Sequence, residues 1–155
     1  MAILDEREWG MELALAEARR AYALGEVPIG CVIIRAGKVI GRGHNLKETL
    51  QDPTAHAEMI AIRRASMASG SWRILDAVMY VTLEPCPMCA GAIVMARIPE
   101  LVIGAKDPRT GACGSLMDVV RDQRLNHRVN VTFGVREAEC ASLLETFFRE
   151  LRKGS

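Results

Sequence analysis

Two short motifs constrain this chain more than any other feature: His56-Ala57-Glu58 and, further along, Pro85-Cys86-Pro87-Met88-Cys89. One imidazole and two thiols at these spacings supply three ligands to a zinc ion. Three protein ligands leave a position for water, the arrangement of catalytic rather than structural zinc. Glu58, two residues past the histidine, is placed to move protons beside the metal rather than bind it. For the two motifs to meet, the chain between them must return on itself, and the apolar run Val78 to Leu83 can do that.

The rest of the chain reads as alternating helices and strands. Met11, Leu15, Ala18 and Tyr22 recur at helical spacing within a helix from about Asp5 to Leu24, with Gly25 as its stop. Ile29 to Arg35, Ala36-Gly37 and Lys38 to Gly43 form a hairpin signal. A second helix is expected from Asp52-Pro53-Thr54, with Asp52 as cap and Pro53 at the first helical position, running to about Ser69 before Gly70. That start places His56 in the first turn. Pro87 opens a third helix to about Ala96, with Cys86 at its N-cap and Cys89 in its first turn. Helix N-termini carry partial positive charge, which favours thiolate over thiol.

Leu101 to Ala105 is a buried-type strand, and a strand–helix–strand order predicts a parallel crossover. Lys106 to Arg128 is less regular and is expected to hold a short helix after Gly111 and Gly114. Asn130 to Val135 is a last strand, and Cys140, Leu144, Phe147 and Leu151 share one stripe of a closing helix. The expected architecture is α/β: one domain over residues 1–155, a mixed five-stranded sheet with helices on both faces in three α/β/α layers.

Twenty basic residues stand against nineteen acidic ones, so any nucleic-acid contact must come from local patches rather than overall charge. Asp5, Glu6 and Arg7 precede any apolar run, which is not the pattern of a signal peptide. No apolar stretch reaches membrane-spanning length. Five cysteines in such a chain read as reduced thiols and ligands, and a cytoplasmic location follows. Cys31 and Cys140 fall in apolar patterns and are expected to be buried small hydrophobes.

Other readings of the motifs compete. A structural zinc site needs a fourth ligand, and Cys113, His44 and His127 are the candidates. A redox Cys-x-x-Cys pair explains neither His56 nor Glu58. A zinc-stabilised RNA-binding module has no use for a proton shuttle. The donor set with Glu58 suits water attack on an amidine-like carbon, with a tetrahedral intermediate and loss of ammonia.

At these residues the chain resembles the zinc-dependent nucleoside and nucleobase deaminases, whose cytidine-deaminase-like fold matches the layers above. Within them it is most similar to the tRNA-specific adenosine deaminases of bacteria. The resemblance includes Glu26-Val27-Pro28, Asp52 to Glu58, Tyr80 to Cys86, Thr110 to Asp118 and Leu125 to Val129. It implies hydrolytic deamination of the wobble adenosine of an arginine tRNA to inosine, by zinc-activated hydroxide at adenine carbon 6. It further implies one Zn2+ per subunit on His56, Cys86 and Cys89, with Glu58 as proton shuttle, and Asn45 and the Ala57 N–H at the target nucleoside. The implied partners are a tRNA anticodon loop and a second copy of the chain, with Met88, Met95 and the segment after Asp107 near the boundary. Asp107 is a candidate acceptor for a ribose 2′-hydroxyl. Arg121, Arg124 and Arg128, with Arg149, Arg152 and Lys153, are candidate phosphate contacts. Of the adjacent Phe147 and Phe148, only one can face the core fully; the other is expected to be partly buried, with stacking on an extruded base as the alternative. The same zinc motifs occur in deaminases of free guanine, cytosine or cytidine, which is the alternative reading.

Overall fold

The computed structural model describes residues 5–154; the first residues of the start read above, 1–4, and Ser155 lie outside the described residues. Helix α1 (Glu6–Ala23) begins where the Asp5 carboxylate accepts the Arg7 N–H, a side-chain cap at the predicted position. Strands β1 (Gly30–Arg35) and β2 (Lys38–His44) form the expected hairpin. Ala36 and Gly37 turn it at φ 49° and 75°, the double left-handed pair that matches strand twist.

The next stretch departs from expectation. A short helix, α2 (Lys47–Leu50), precedes α3 (Ala57–Ser69), so the second long helix starts at Ala57 rather than Pro53. Asp52 does cap, but it caps a turn: its carboxylate accepts from the Thr54 N–H at 2.9 Å and the Thr54 hydroxyl at 2.7 Å. The chain then extends through His56 at φ −83°, ψ 154°, which becomes the N-cap residue of α3 instead of lying in its first turn. Gly70 ends α3 at φ 68°, as expected.

Strand β3 (Ala77–Leu83) leads into α4 (Pro87–Met95), whose N-cap is Cys86, and then into β4 (Glu100–Ala105). Residues 106–129 contain no helix. Their N–H groups find partners outside the helical pattern, such as Leu116 to the Gly111 carbonyl and Val119 to the Ala112 carbonyl. Strand β5 (Asn130–Phe133) stops earlier than Val135, and α5 (Glu137–Lys153) closes the fold. On α5, Cys140 and Phe147 are buried as the stripe requires, but Leu151 is 58% exposed because the helix end extends beyond the core.

The sheet order is β2-β1-β3-β4-β5. Strand β1 is antiparallel to both neighbours, while β3–β4 and β4–β5 are parallel, the first pair joined by the predicted α4 crossover. Alternate residues face opposite layers. Cys31, Ile33, Met79, Val81, Leu101 and Ile103 pack with the alanines of α3 and with Ala90 and Ile93 of α4. Val32, Ile34, Tyr80 and Val102 pack with Met11, Ala14 and Leu15 of α1 and Cys140 of α5. The three-layer α/β/α arrangement is therefore as expected, and Cys31 and Cys140 are buried apolar residues.

These registers decide where a site can form. Gly30 lies opposite His44, Cys31 opposite Val81, and Leu83 opposite Ala105. One end of the sheet thus collects the start of β1 and the ends of β2, β3 and β4. Both motif helices start from that same end. No helix among the described residues is long and apolar enough to cross a membrane.

Candidate active site

His56 and Cys86 occupy equivalent positions, each the N-cap residue of a helix, and neither side chain caps its own helix. They turn toward each other instead. His56 Nδ1 lies 3.6 Å from Cys86 Sγ and 3.6 Å from Cys89 Sγ. Their ligand atoms all fall within 4.8 Å of one another. A tetrahedral zinc with bonds of about 2.0–2.1 Å to nitrogen and about 2.3 Å to sulfur holds N and S about 3.5–3.6 Å apart. The donor set therefore fits a metal ion in both chemistry and spacing.

The local electrostatics favour ligation. Hydrogen bonding from Cys89, together with that from His56, holds the Cys86 thiol down at about 4. Cys89 lies beside that thiolate and is pushed far up, first by its hydrogen bond to Cys86 and then by burial. His56 is raised, chiefly by its hydrogen bond to Cys86. A lowered thiol beside an imidazole and a second thiol, at two helix N-termini, is suited to ligate a metal, which displaces the protons that remain on the donors.

Glu58 sits in the first turn of α3 and is 4% exposed. Burial is the main reason its carboxyl is pushed up to about 7, against a smaller downward pull from His56. A cation held by the three donors would draw it back down. Ala57, between His56 and Glu58, is the first helical residue, so its N–H has no partner within the helix.

The donors open into a cavity of about 750 Å³. Asn45 lines it and is almost fully buried. Its Oδ1 accepts the Lys47 N–H at 3.2 Å, and its amide donates to the Val27 carbonyl at 3.4 Å. Asp107 lines it as well, and its carboxylate accepts from the Arg109 and Thr110 N–H groups and from the Thr110 hydroxyl. Helix α5 forms the outer wall with Leu144, Phe148, Arg149 and Arg152. Phe147 is buried and Phe148 is 40% exposed at the cavity, so the adjacent phenylalanines divide as expected.

Some candidates are not brought in. His44 Nδ1 pairs with the buried Glu17 carboxylate at 2.9 Å, and His127 Nε2 lies 2.8 Å from the Ile98 carbonyl oxygen. Cys113 is buried outside the donor cluster. None of the three completes a four-ligand structural site. Arg121 and Arg124 pair with Asp118 at 2.8 Å and Asp122 at 2.6 Å, and Arg128 donates to the Gln123 carbonyl.

Two residues to which the sequence reading gave no role hold the cavity walls. Glu26 is buried, and its carboxylate accepts the N–H groups of Glu48 and Thr49, fixing α2 beside Asn45. Glu84 is also buried and accepts from the N–H groups of Asp107, Cys113 and Ser115 and from the Ser115 hydroxyl. Burial opposes the ionisation of each, but these hydrogen bonds outweigh it and hold both carboxyls below the usual range. The available signal for Glu84 was a lone carboxylate closing an apolar strand immediately before Pro85-Cys86.

Comparison with known proteins agrees with this geometry. The family described as MafB19-like deaminase matches residues 4–152. The tRNA-specific adenosine deaminase of Bacillus subtilis (strain 168) is 50% identical over 150 residues, covering 97% of this chain and 93% of that protein. A solved structure from a study of A-to-I editing by tRNA:A34 deaminases at the wobble position of transfer RNA superposes with a TM-score of 0.84. It is 47% identical, covering 88% of this chain and 99% of that one. The structure of guanine deaminase from Bacillus subtilis is more distant, with 37% identity, a TM-score of 0.62 and 66% of each chain covered. The paired donor motifs, the sheet that brings them together and these likenesses over nearly the full length agree: the chain belongs to the MafB19-like deaminase family and, within it, to the tRNA-specific adenosine deaminases.

Proposed function

We propose that this protein hydrolyses the wobble adenosine of a tRNA anticodon, that of an arginine tRNA, to inosine and ammonia. The observation that carries the reading is the His56–Cys86–Cys89 donor set beside buried Glu58. The substrate follows from the likeness to tRNA-specific adenosine deaminases. His56, Cys86 and Cys89 would hold one Zn2+ per subunit. When bound, zinc lowers the pKa of a coordinated water toward neutrality.

Glu58 accepts the proton of the attacking water. It passes that proton to a ring nitrogen as carbon 6 becomes tetrahedral. It then takes the proton of the new carbon 6 hydroxyl and gives it to the amino group, which departs as ammonia as the C–N bond breaks and leaves the carbonyl of inosine. The place of Glu58 supports that role, because it is nearly fully buried in the first turn of α3, two residues from a donor. Asn45 and the Ala57 N–H orient the target nucleoside, since both line the cavity beside the donors. Asp107 accepts a ribose 2′-hydroxyl: a carboxylate offers about four lone-pair sites, and its own loop uses three. The working unit is a homodimer, a reading supported by Met95 of α4, which is 68% exposed on a motif helix.

The test is incubation with an anticodon stem-loop carrying a wobble adenosine, with free adenosine, cytidine and guanine beside it. Inosine should form on the stem-loop alone. Turnover of a free base without turnover on RNA would overturn the substrate and leave the zinc chemistry intact. Glu58→Ala should keep its zinc and lose deamination, and retained activity would remove Glu58 from the mechanism.

A further inference from the structure

The wall that carries Asp107 has no regular secondary structure of its own. It is held by Glu84, a carboxylate 3% exposed at the end of β3. Glu84 Oε1 accepts the Asp107 N–H at 3.1 Å and the Ser115 hydroxyl. Its Oε2 accepts the Cys113 and Ser115 N–H groups, each at 3.0 Å. Both edges of the 107–115 loop therefore close on a single ion. The loop also crosses directly over that carboxylate. A Cβ built at Gly111 would lie 2.4 Å from Glu84 Cδ and 2.4 Å from the Asp107 carbonyl oxygen, so only glycine fits there. Asp107 in turn spends its carboxylate on Arg109 and Thr110 and keeps acceptor capacity for a hydroxyl in the cavity.

We propose that Glu84 is a positioning residue for substrate sugar recognition: it fixes the height of the 107–115 wall, and with it the Asp107 carboxylate that distinguishes ribose from deoxyribose. This rests on the adenosine-in-RNA reading above and adds a residue to it. The hydrogen bonds seen for the Glu84 carboxylate all go to the loop. Its effect passes through the loop backbone. Gln at this position keeps one acceptor oxygen but turns an amide donor toward N–H groups that need an acceptor. The loop must then lift, while the helix carrying Cys86 and Cys89 keeps its own hydrogen bonds, such as Ala90 N–H to the Cys86 carbonyl at 2.8 Å.

The experiment compares wild type, Glu84→Gln and Gly111→Ala on two anticodon stem-loops, one all-ribose and one with 2′-deoxyribose through the loop. For each protein, KM, kcat and the zinc-to-protein ratio are measured. The wild type should favour the ribose substrate. Both variants should raise KM for it about tenfold or more, lower kcat less than about threefold, keep zinc, and bring the ribose-to-deoxyribose ratio of kcat/KM close to one. An equal loss on both substrates with the ratio preserved overturns the proposal, as does loss of zinc from Glu84→Gln with a normal ratio in Gly111→Ala. If Glu84→Gln does not accumulate as folded protein, Gly111→Ala decides alone, because it keeps the Glu84 carboxylate as an acceptor and forces the loop away from it. A wild type that deaminates neither stem-loop refutes the RNA reading itself. A wild type that discriminates, beside variants that discriminate equally, refutes only the role of Glu84.

Discussion

The approach of α3 to the sheet offers a quantitative test of how fold and site are linked. At Gly43 in β2, an added Cβ would lie 2.5 Å from the Ala57 carbonyl oxygen, 2.9 Å from Ile60 Cβ and 3.0 Å from the Ala61 nitrogen. Two of these are backbone atoms of the turn that carries His56 and Glu58. For Gly43→Ala to regain an ordinary 3.4 Å contact, the Ala57 carbonyl must recede by about 0.9 Å. A metal site tolerates only ~0.2 Å in its ligand distances. Overpacking of this kind costs about 1–3 kcal/mol, which for a domain near 150 residues lowers Tm by roughly 2–12 °C. Zinc affinity should fall about 10- to 100-fold, as when a ligand's supporting contacts are lost. The control is Gly41→Ala, whose Cβ would meet the Ala61 carbonyl oxygen at 2.3 Å and Ala65 at 2.9 Å, a turn or more beyond His56. It should destabilise as much yet keep zinc better. Calorimetric melts and competition with a chromogenic chelator measure both quantities. If the two variants lose zinc equally, global destabilisation is the cause and the argument about α3 placement fails.

Four further outcomes are expected. Glu26→Gln should lower stability at pH 7 and much less near pH 3. A carboxyl held below its usual range stabilises above the unfolded pKa, and that contribution disappears as pH falls through the folded one; a pH-independent difference would refute it. Phe148→Ala should raise KM for the stem-loop roughly 5- to 150-fold, the loss of ~1–3 kcal/mol of base stacking, with Tm little changed. Phe147→Ala should instead cost ~3–5 kcal/mol of stability, so melts and kinetics together distinguish the core ring from the cavity ring. Raising salt from 50 to 200 mM should weaken stem-loop binding about sevenfold if Arg149 and Arg152 neutralise two phosphates, and a flat response would exclude such contacts.

What the sequence revealed and what it concealed divide along a physical line. The donor motifs were legible because each is local: His56 and Cys86 fall at helix starts, and the strand between them follows from its apolar run. That both faces of the sheet are covered was legible from the apolar runs of β1 and β3, which are buried on both sides. The start of α3 was misread because Asp52-Pro53-Thr54 carries genuine capping chemistry, but that chemistry closes a turn, with the Leu46 N–H reaching the Ala55 carbonyl at 2.9 Å. The helix expected after Gly114 failed because nearby N–H groups bond to Glu84, a partner distant in sequence. Glu26 and Glu84 stood within segments of the resemblance but received no role for the same reason. Their donors are mostly backbone groups, which have no sequence signature.

That division also explains how one fold can keep its chemistry while changing its substrate. The metal donors and Glu58 depend on two helix starts and the strand between them, so substitutions in the walls leave them in place. The walls depend on buried carboxylates, Glu26 on the Asn45 side and Glu84 on the Asp107 side, each accepting several backbone N–H groups. Removing one such carboxylate orphans two or more donors at once, at ~1–3 kcal/mol each, whereas removing an apolar wall side chain such as Phe148 orphans none. Selection on substrate can therefore act first on apolar side chains facing the cavity, while the buried carboxylates stay fixed. Changing a carboxylate shifts an entire wall, so a new preference for sugar or flanking base should come from cavity-facing positions before it comes from Glu26 or Glu84.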